Sequence, residues 1–459
     1  MVFSSIVFLF RFLPIVLLIY YLIPNKCKNL SLLFFSLLFY SWGEPKYFFI
    51  MIASICVDYT LSLIIDNNRD KKLLCKVALL LSIMFNLGML LFFKYYDFFI
   101  VNINKVFGLN ISLLRLILPL GISFYTFQTM SYTIDVYRGK VKAERNIINF
   151  GTFVTMFPQL IAGPIVKYTD INVELKERKI NYSQIQDGAE TFILGLGRKV
   201  LIANNVGMLW DEVQTLGFSN ISTPLAWLGV LAFTFQIYFD FSGYSLMAIG
   251  LGKMLGFNFP QNFNYPYISR SATEFWRRWH MTLGSWFREY VYIPLGGNRV
   301  GPFRKYFNIV LIWFLTGFWH GANFNFMLWG LMFAVLLIVE KRGFNKFLDK
   351  YRVFSHIYLI LMVMLSWVLF SLTDLGQVAQ LYKKMFIFTG GLDFIYYIRN
   401  YFVILVIAGI LSTPVLKNIF NKVSKDANWI RISVTAIILI LSVAYLVDAT
   451  YNPFLYFRF

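Results

Sequence analysis

Leu225-AWLGVLAFTFQIYFDFSGYSLMAIGLGKML-Gly256 is an apolar run whose only charged side chains are Asp240 and Lys253. A helix needs ~20 predominantly apolar residues to cross a bilayer, and this run exceeds that length. Water would not tolerate so much apolar surface on an isolated helix, so the segment is buried in protein or in lipid.

Working outward, similar runs recur at 2–23, 30–42, 47–65, 77–97, 113–136 and 188–211. Others lie at 306–319, 325–340, 356–373, 401–416 and 430–447. Of the 459 residues, 58% are hydrophobic and 14% are charged. Soluble chains carry roughly 45–50% and about 25%. The expected fold is an all-α polytopic membrane protein with about 10–12 helices, some of them partial or re-entrant. The stretch Phe150–Val166 holds Pro158, Pro164, Gly151 and Gly163, and reads as re-entrant. The run at 2–23 lacks a basic start and a small-residue cleavage site, so it reads as a retained helix. No polar linker divides the chain, and residues 1–459 read as one membrane domain.

The net charge of +19 is spread in short basic clusters between the apolar runs. The positive-inside rule produces this pattern, and binding to anionic lipid adds a further use; nucleic acid is not the expected partner. The basic loops at 69–76, 138–145, 167–179, 270–305, 341–352 and 417–425 would then be cytoplasmic. The poorly basic turns at 102–110, 211–223 and 321–325 would face outward. Cys27, Cys56 and Cys75 are scattered without ligand or disulfide spacing, so neither a disulfide framework nor a metal site is expected; no bound cofactor is expected either.

There are three histidines. His320 ends an apolar run in Phe314-LTGFWHGA-Asn323, beside Trp319. A histidine bordering a span is expensive unless it is paired or useful, and it moves protons near neutral pH. By position alone it is either a general base or a helix-end residue bonded to a backbone carbonyl. His280 ends Glu274-FWRRW-His280; on one helix, Trp276 and His280 would share a face, as would Glu274 and Arg278. An interfacial helix explains the tryptophans and arginines without requiring the histidine. His356 reads as interfacial. Asp240 lies inside a span, where a carboxylate pairs or functions; the expected partner is an arginine from 270–288. The chain has no Walker loop, dinucleotide fingerprint, zinc-binding His-Glu-x-x-His or Gly-x-Ser-x-Gly elbow.

Several strings, taken together, resemble the membrane-bound O-acyltransferases, closest to the bacterial branch that acetylates polysaccharides. They are Met1-VFS-Ser5, Pro158-QLIAGP-Ile165, Tyr238-FDFSGY-Ser245, Asn262-FNYP-Tyr267, Glu274-FWRRWHMT-Leu283, Trp286-FRE-Tyr290, Tyr292-IPLGGN-Arg299, Leu315-TGFWHGA-Asn323 and Tyr456-FR-Phe459. The resemblance implies a ring of transmembrane and re-entrant helices around a central tunnel. A thioester donor, acetyl-coenzyme A or an acyl carrier, would enter from the cytoplasm and a hydroxyl acceptor from outside. His320 matches the family's catalytic histidine and His280 its second polar site residue, positioning a substrate or helping to hold the oxyanion. Asp240, Glu274, Trp276, Arg277, Arg278, Arg288, Trp319 and Asn323 are expected to build the site or bind the donor, the arginines through its phosphates.

One departure concerns the branch. Leu246 follows Ser245 where many polysaccharide-acetylating relatives have aspartate, and leucine there resembles the branch that moves D-alanine onto teichoic acids. The strings at 292–299 and 318–323 resemble the polysaccharide branch instead. D-alanyl transfer from a small carrier protein stays as the alternative, and a polysaccharide or lipid transporter without acyl chemistry is the reading from another class. The resemblance further implies an extracytoplasmic esterase-like partner, polysaccharide synthesis machinery and a bacterial plasma membrane. Lys, Ile, Asn and Phe usage suggests an AT-rich genome.

Overall fold

The computed structural model describes residues 2–161, 163–425, 427–448 and 455. Met1, Ala162 and Tyr456–Phe459, which carry parts of the family strings, lie outside the described residues. Among the described residues the regular structure is helical throughout, as expected, with no strand.

In chain order the helices are α1 (Phe8–Leu22), α2 (Lys28–Gly43), α3 (Phe48–Asn67), α4 (Lys72–Phe107), α5 (Ile122–Tyr137) and α6 (Ile147–Thr155). They continue as α7 (Tyr168–Lys176), α8 (Tyr182–Leu216), α9 (Thr223–Met254), α10 (Ala272–Arg278), α11 (Met281–Phe287) and α12 (Pro302–His320). The rest are α13 (Phe324–Lys350), α14 (Arg352–Ser371), α15 (Leu375–Phe386), α16 (Asp393–Leu411), α17 (Val415–Val423) and α18 (Asn428–Asp448).

Eight of these (α3, α4, α8, α9, α13, α14, α16 and α18) are long and apolar enough to cross a membrane. The remaining expected runs form the shorter helices α1, α2 and α5 and the more polar α12. The protein is therefore a multi-pass membrane protein. Burial separates the spans: 83% of the apolar window of α9 is buried, against 11% in α16 and in α18. Helix α9 is apolar all round and packed all round, whereas α16 and α18 turn large side chains such as Phe402, Val403, Ile440 and Val447 outward, the face a lipid phase would solvate.

The chain divides into two compact units, residues 1–192 with 247–260 and residues 193–246 with 261–459. In the first, Asp58 of α3 is fully buried and accepts hydrogen bonds from Ser82 Oγ (2.5 Å) and Asn86 Nδ2 (2.8 Å) of α4. Thr129 of α5 closes the set by donating to Asn86 Oδ1 at 2.9 Å. A carboxylate held this way ties three apolar helices together where apolar packing alone gives little preference. The segment after α5 breaks as its prolines and glycines require: α6 ends at Thr155, a single helical turn spans Phe157–Leu160, and among the described residues no further helix forms before Tyr168.

In the second unit, α12 and α13 form a tight hairpin. A Cβ on Gly317 would strike the carbonyl oxygen of Phe326, and one on Gly330 would strike that of Trp313. Only glycine lets the two backbones approach this closely. His320 lies one turn beyond that crossing.

Candidate active site

The positioning of His280 begins with α10. Ser271 caps the helix by accepting from Glu274 N–H (3.1 Å), and Glu274 Oε2 accepts from Arg270 N–H (2.9 Å). Glu340 of α13, with no exposed surface, takes the N–H groups of Ala272 (2.7 Å) and Thr273 (2.9 Å) and the Thr273 hydroxyl (2.6 Å). A carboxylate at this end satisfies the orphan donors and opposes the positive pole of the helix. Glu274 and Arg278 pair at 3.0 Å, as their spacing predicts.

The helix then stops earlier than the spacing suggested. Trp279 is extended and His280 is left-handed at φ 44°, ψ 52°. Backbone bonds explain the break: Asn264 N–H donates to the Arg278 carbonyl and Met281 N–H to the Asn262 carbonyl, each at 2.9 Å. Trp276 and His280 consequently do not share a face. Trp276 packs against Trp313, Phe333 and Trp329, with ring centroids 4.6, 4.9 and 5.5 Å away. His280 packs edge-on against Phe241 at 4.8 Å. A non-glycine residue held at positive φ is uncommon and clusters at functional sites.

The His280 tautomer follows from its partner. Asn262 Oδ1 accepts from Thr282 N–H (3.3 Å), so that atom is the carbonyl oxygen. His280 Nδ1 lies 3.1 Å from the same oxygen and must carry its proton. Nε2 is then a bare lone pair, buried and without a partner among the described residues. Burial lowers the pKa of this imidazole to about 3, so the ring is neutral at physiological pH. Such a ring accepts at Nε2 and does not donate there.

His320 is the last residue of α12 and is 7% exposed. Its ring meets Trp329 and Phe370 edge-on, each at 5.2 Å. It opens on a small cavity of about 20 Å³ whose other walls are Ile237, Asp240 and Phe241 of α9, with Trp279, Trp329, Trp367, Phe370 and Leu455. That is room for about one or two waters. Trp319 lies beside both histidines, 6.3 Å from His280 and 5.0 Å from His320.

Asp240 faces this cavity, but its partner is not an arginine of 270–288. Lys199 Nζ lies 2.7 Å from Asp240 Oδ1, the two side chains 1% and 3% exposed. Lys199 also donates to Asn204 Oδ1 at 2.7 Å. It is carried on a π-helical turn of α8, Arg198–Ala203, where the wider winding shifts side chains off the regular helical register. The backbone N–H of Leu455 donates to Asp240 Oδ2 at 3.0 Å. Both carboxylate oxygens are thus engaged.

The structure brings His320 and Asp240 to one cavity, with Trp319 and His280 alongside. Glu274 and Arg278 stabilise α10, and Trp276 packs in the aromatic cluster behind Trp329. Arg277 and Arg288 are exposed, and Asn323 heads α13 in the turn after His320 without lining the cavity. Arg277 and Lys305 both lie close enough to Lys341 to repel its charge, and Arg342 stacks on Tyr306 at 5.1 Å. Sequence reasoning missed Lys199, Asn262, Glu340, Trp329, Trp367, Phe370 and Leu455. Lys199 and Glu340, charges within apolar runs, and Asn262, in one of the family strings, carried signals that could have found them.

The profile of the membrane-bound O-acyltransferase family matches residues 144–375, which include Asp240, His280 and His320. The chain is 39% identical to the probable alginate O-acetylase AlgI of Pseudomonas putida over 100% of both chains. It is 32% identical to the peptidoglycan O-acetyltransferase of Helicobacter pylori, over 100% of this chain and 98% of that one. A shorter match, 30% identical over 50% of this chain and 58% of the relative, is to the teichoic acid D-alanyltransferase of Streptococcus thermophilus. A multi-pass helical fold, a buried histidine on a small cavity and full-length likeness to two O-acetylating enzymes agree: the chain belongs to the membrane-bound O-acyltransferase family, in its polysaccharide O-acetylation branch.

Proposed function

We propose that this protein takes an acetyl group from a cytoplasmic thioester and passes it to a hydroxyl on the extracytoplasmic face of a bacterial plasma membrane, for O-acetylation of a cell-surface polysaccharide or exopolysaccharide. The observation that carries the reading is His320 on the wall of a small, largely apolar cavity, next to a carboxylate already matched by Lys199.

His320 removes the proton from the acceptor hydroxyl as its oxygen attacks the thioester carbonyl. Collapse of the tetrahedral intermediate breaks the carbon–sulfur bond, and the imidazolium returns the proton to the departing thiolate. General base catalysis contributes about 10²–10⁴-fold. The lone pair on His280 Nε2 orients a donor group of either substrate. Arg277, Lys305 and Lys341 form a basic group suited to the phosphates of a donor such as acetyl-coenzyme A, and the positive-inside rule favours the cytoplasmic side for it. An esterase-like partner outside the membrane and a polymer synthase are the expected companions.

Transfer of D-alanine from a carrier protein is the second reading, supported by Leu246 and by the shorter D-alanyltransferase match. The full-length matches favour acetyl. The test is His320→Ala in the producing cell, with alkali-labile acetate and D-alanine measured on the purified polymer. Loss of acetate with normal polymer export and normal protein level is the expected result. Full acetylation in that variant overturns the assignment of the base; loss of D-alanine instead selects the second reading.

A further inference from the structure

The cavity on His320 has room for about one or two waters, the scale of a two-carbon acyl group and not of a longer chain. Most of its wall is aromatic. Trp279 meets Trp367 at 4.9 Å, Trp329 meets Phe370 at 5.1 Å and Trp367 meets Phe370 at 5.5 Å, so each ring is held in place by another. Packed rings of this kind do not swing aside for an extra methylene.

The aliphatic part of the wall is Ile237 and Leu455. Ile237 sits inside α9, fixed by the helix. Leu455 comes from beyond the last span, is 4% exposed, and is held in place by its backbone N–H on Asp240 Oδ2, 3.0 Å away. Asp240 is itself fixed by Lys199 at 2.7 Å. A linked series therefore runs from a buried cation through a carboxylate to a leucine side chain that lines the cavity holding the base.

We propose that Leu455 is the acyl-length gauge of this enzyme: its side chain, seated by the Lys199–Asp240 pair, fills the space that a third acyl carbon would need and restricts transfer to acetyl. The inference rests on the acyl-transfer reading above. An extra methylene in a hydrophobic pocket changes discrimination by about 10–200-fold, and the gauge acts on that scale.

The experiment uses inverted membrane vesicles from the producing cell, containing the full-length protein and its endogenous acceptor. Labelled acetyl- and propionyl-coenzyme A serve as probes, and each alkali-labile ester on the polymer is counted. The readout is the propionyl-to-acetyl ratio, which does not depend on how much of a variant folds. Wild type should favour acetyl by about 10-fold or more, Leu455→Ala should raise the ratio about 10-fold or more, and Leu455→Met, which conserves volume, should leave it at the wild-type value. If Leu455→Ala transfers nothing, Leu455→Val replaces it and must shift the ratio in the same direction. Acetyl transfer with an unchanged ratio in the active smaller variant overturns the gauge and leaves the acyl-transfer reading standing. Wild-type vesicles that transfer neither group overturn the acyl-transfer reading and the gauge with it.

Discussion

Lys199 Nζ lies 2.7 Å from Asp240 Oδ1 inside the second unit, with neither side chain more than 3% exposed. A charge pair this deep is retained at the expense of desolvating both groups, and the attraction between them has to offset that loss. It leaves the wall of the His320 cavity electrically balanced. It also sets the orientation of the carboxylate that holds Leu455.

Breaking the pair from one side leaves an uncompensated buried charge. Lys199→Met and Asp240→Asn should each destabilise the protein by about 3–5 kcal/mol. The double variant should be less destabilised than the sum of the two singles, because it buries no net charge. Thermal unfolding of the detergent-solubilised protein measures all three. Strict additivity would show that the pair is not coupled in solution.

His280 gives a pH dependence of known sign. Its pKa falls to about 3 in the folded protein, against about 6.5 in an unfolded chain. The unfolded state therefore binds a proton that the folded state refuses. The resulting stability is fully present above about pH 6.5 and is lost as pH falls toward 3, at up to about 1.4 kcal/mol per pH unit. Unfolding midpoints taken between those limits should fall less steeply in His280→Gln than in wild type. Equal slopes would remove the buried neutral imidazole as the cause.

The hairpin crossing should be intolerant of a single methyl. Gly317→Ala and Gly330→Ala each place a Cβ on an opposing carbonyl oxygen, so α12 and α13 must separate and His320 must move. Overpacking of this kind typically costs about 1–3 kcal/mol. Misplacing a catalytic group by about 1 Å can lower the rate by 10²-fold. Gly88→Ala, whose Cβ would meet nothing within 4 Å in α4, is the control and should keep full activity. Acetyl transfer normalised to folded protein distinguishes the three variants.

Glu340 should matter to catalysis without touching substrate. Glu340→Ala withdraws the acceptor from two backbone N–H groups at the start of α10. Each buried group left unpaired costs about 1–3 kcal/mol. The loosened α10 should misplace His280 and lower transfer, while Glu340→Gln, which retains one carbonyl acceptor, should recover part of it. Activity at wild-type level in Glu340→Ala would show that α10 is held by its remaining contacts.

The membrane class and the order of helices were legible because hydrophobicity is a local property that accumulates along each run. The break after α5 was legible for the same reason, the prolines and glycines of Phe150–Val166 being local instructions. Asp240 stood out as a carboxylate in an apolar span, and His320 as a histidine at the end of one. Their surroundings were not legible. The expected arginine partner of Asp240 gave way to Lys199, since ion pairing is chosen by packing and not by proximity in sequence. The helical face expected for Trp276 and His280 dissolved where residues 262–264 pair with the backbone of 278–281. Trp329, Trp367 and Phe370 looked like ordinary aromatic residues among many.

The sequence by itself determined that this chain is a helical membrane protein, and its motifs determined the acyltransferase family. Both are written residue by residue, in apolar content and in short strings. Only the tertiary structure decided which groups share a cavity, which nitrogen of His280 carries its proton, and which lysine balances Asp240. Those outcomes depend on contacts between distant segments, where a shift of one helical turn exchanges one partner for another.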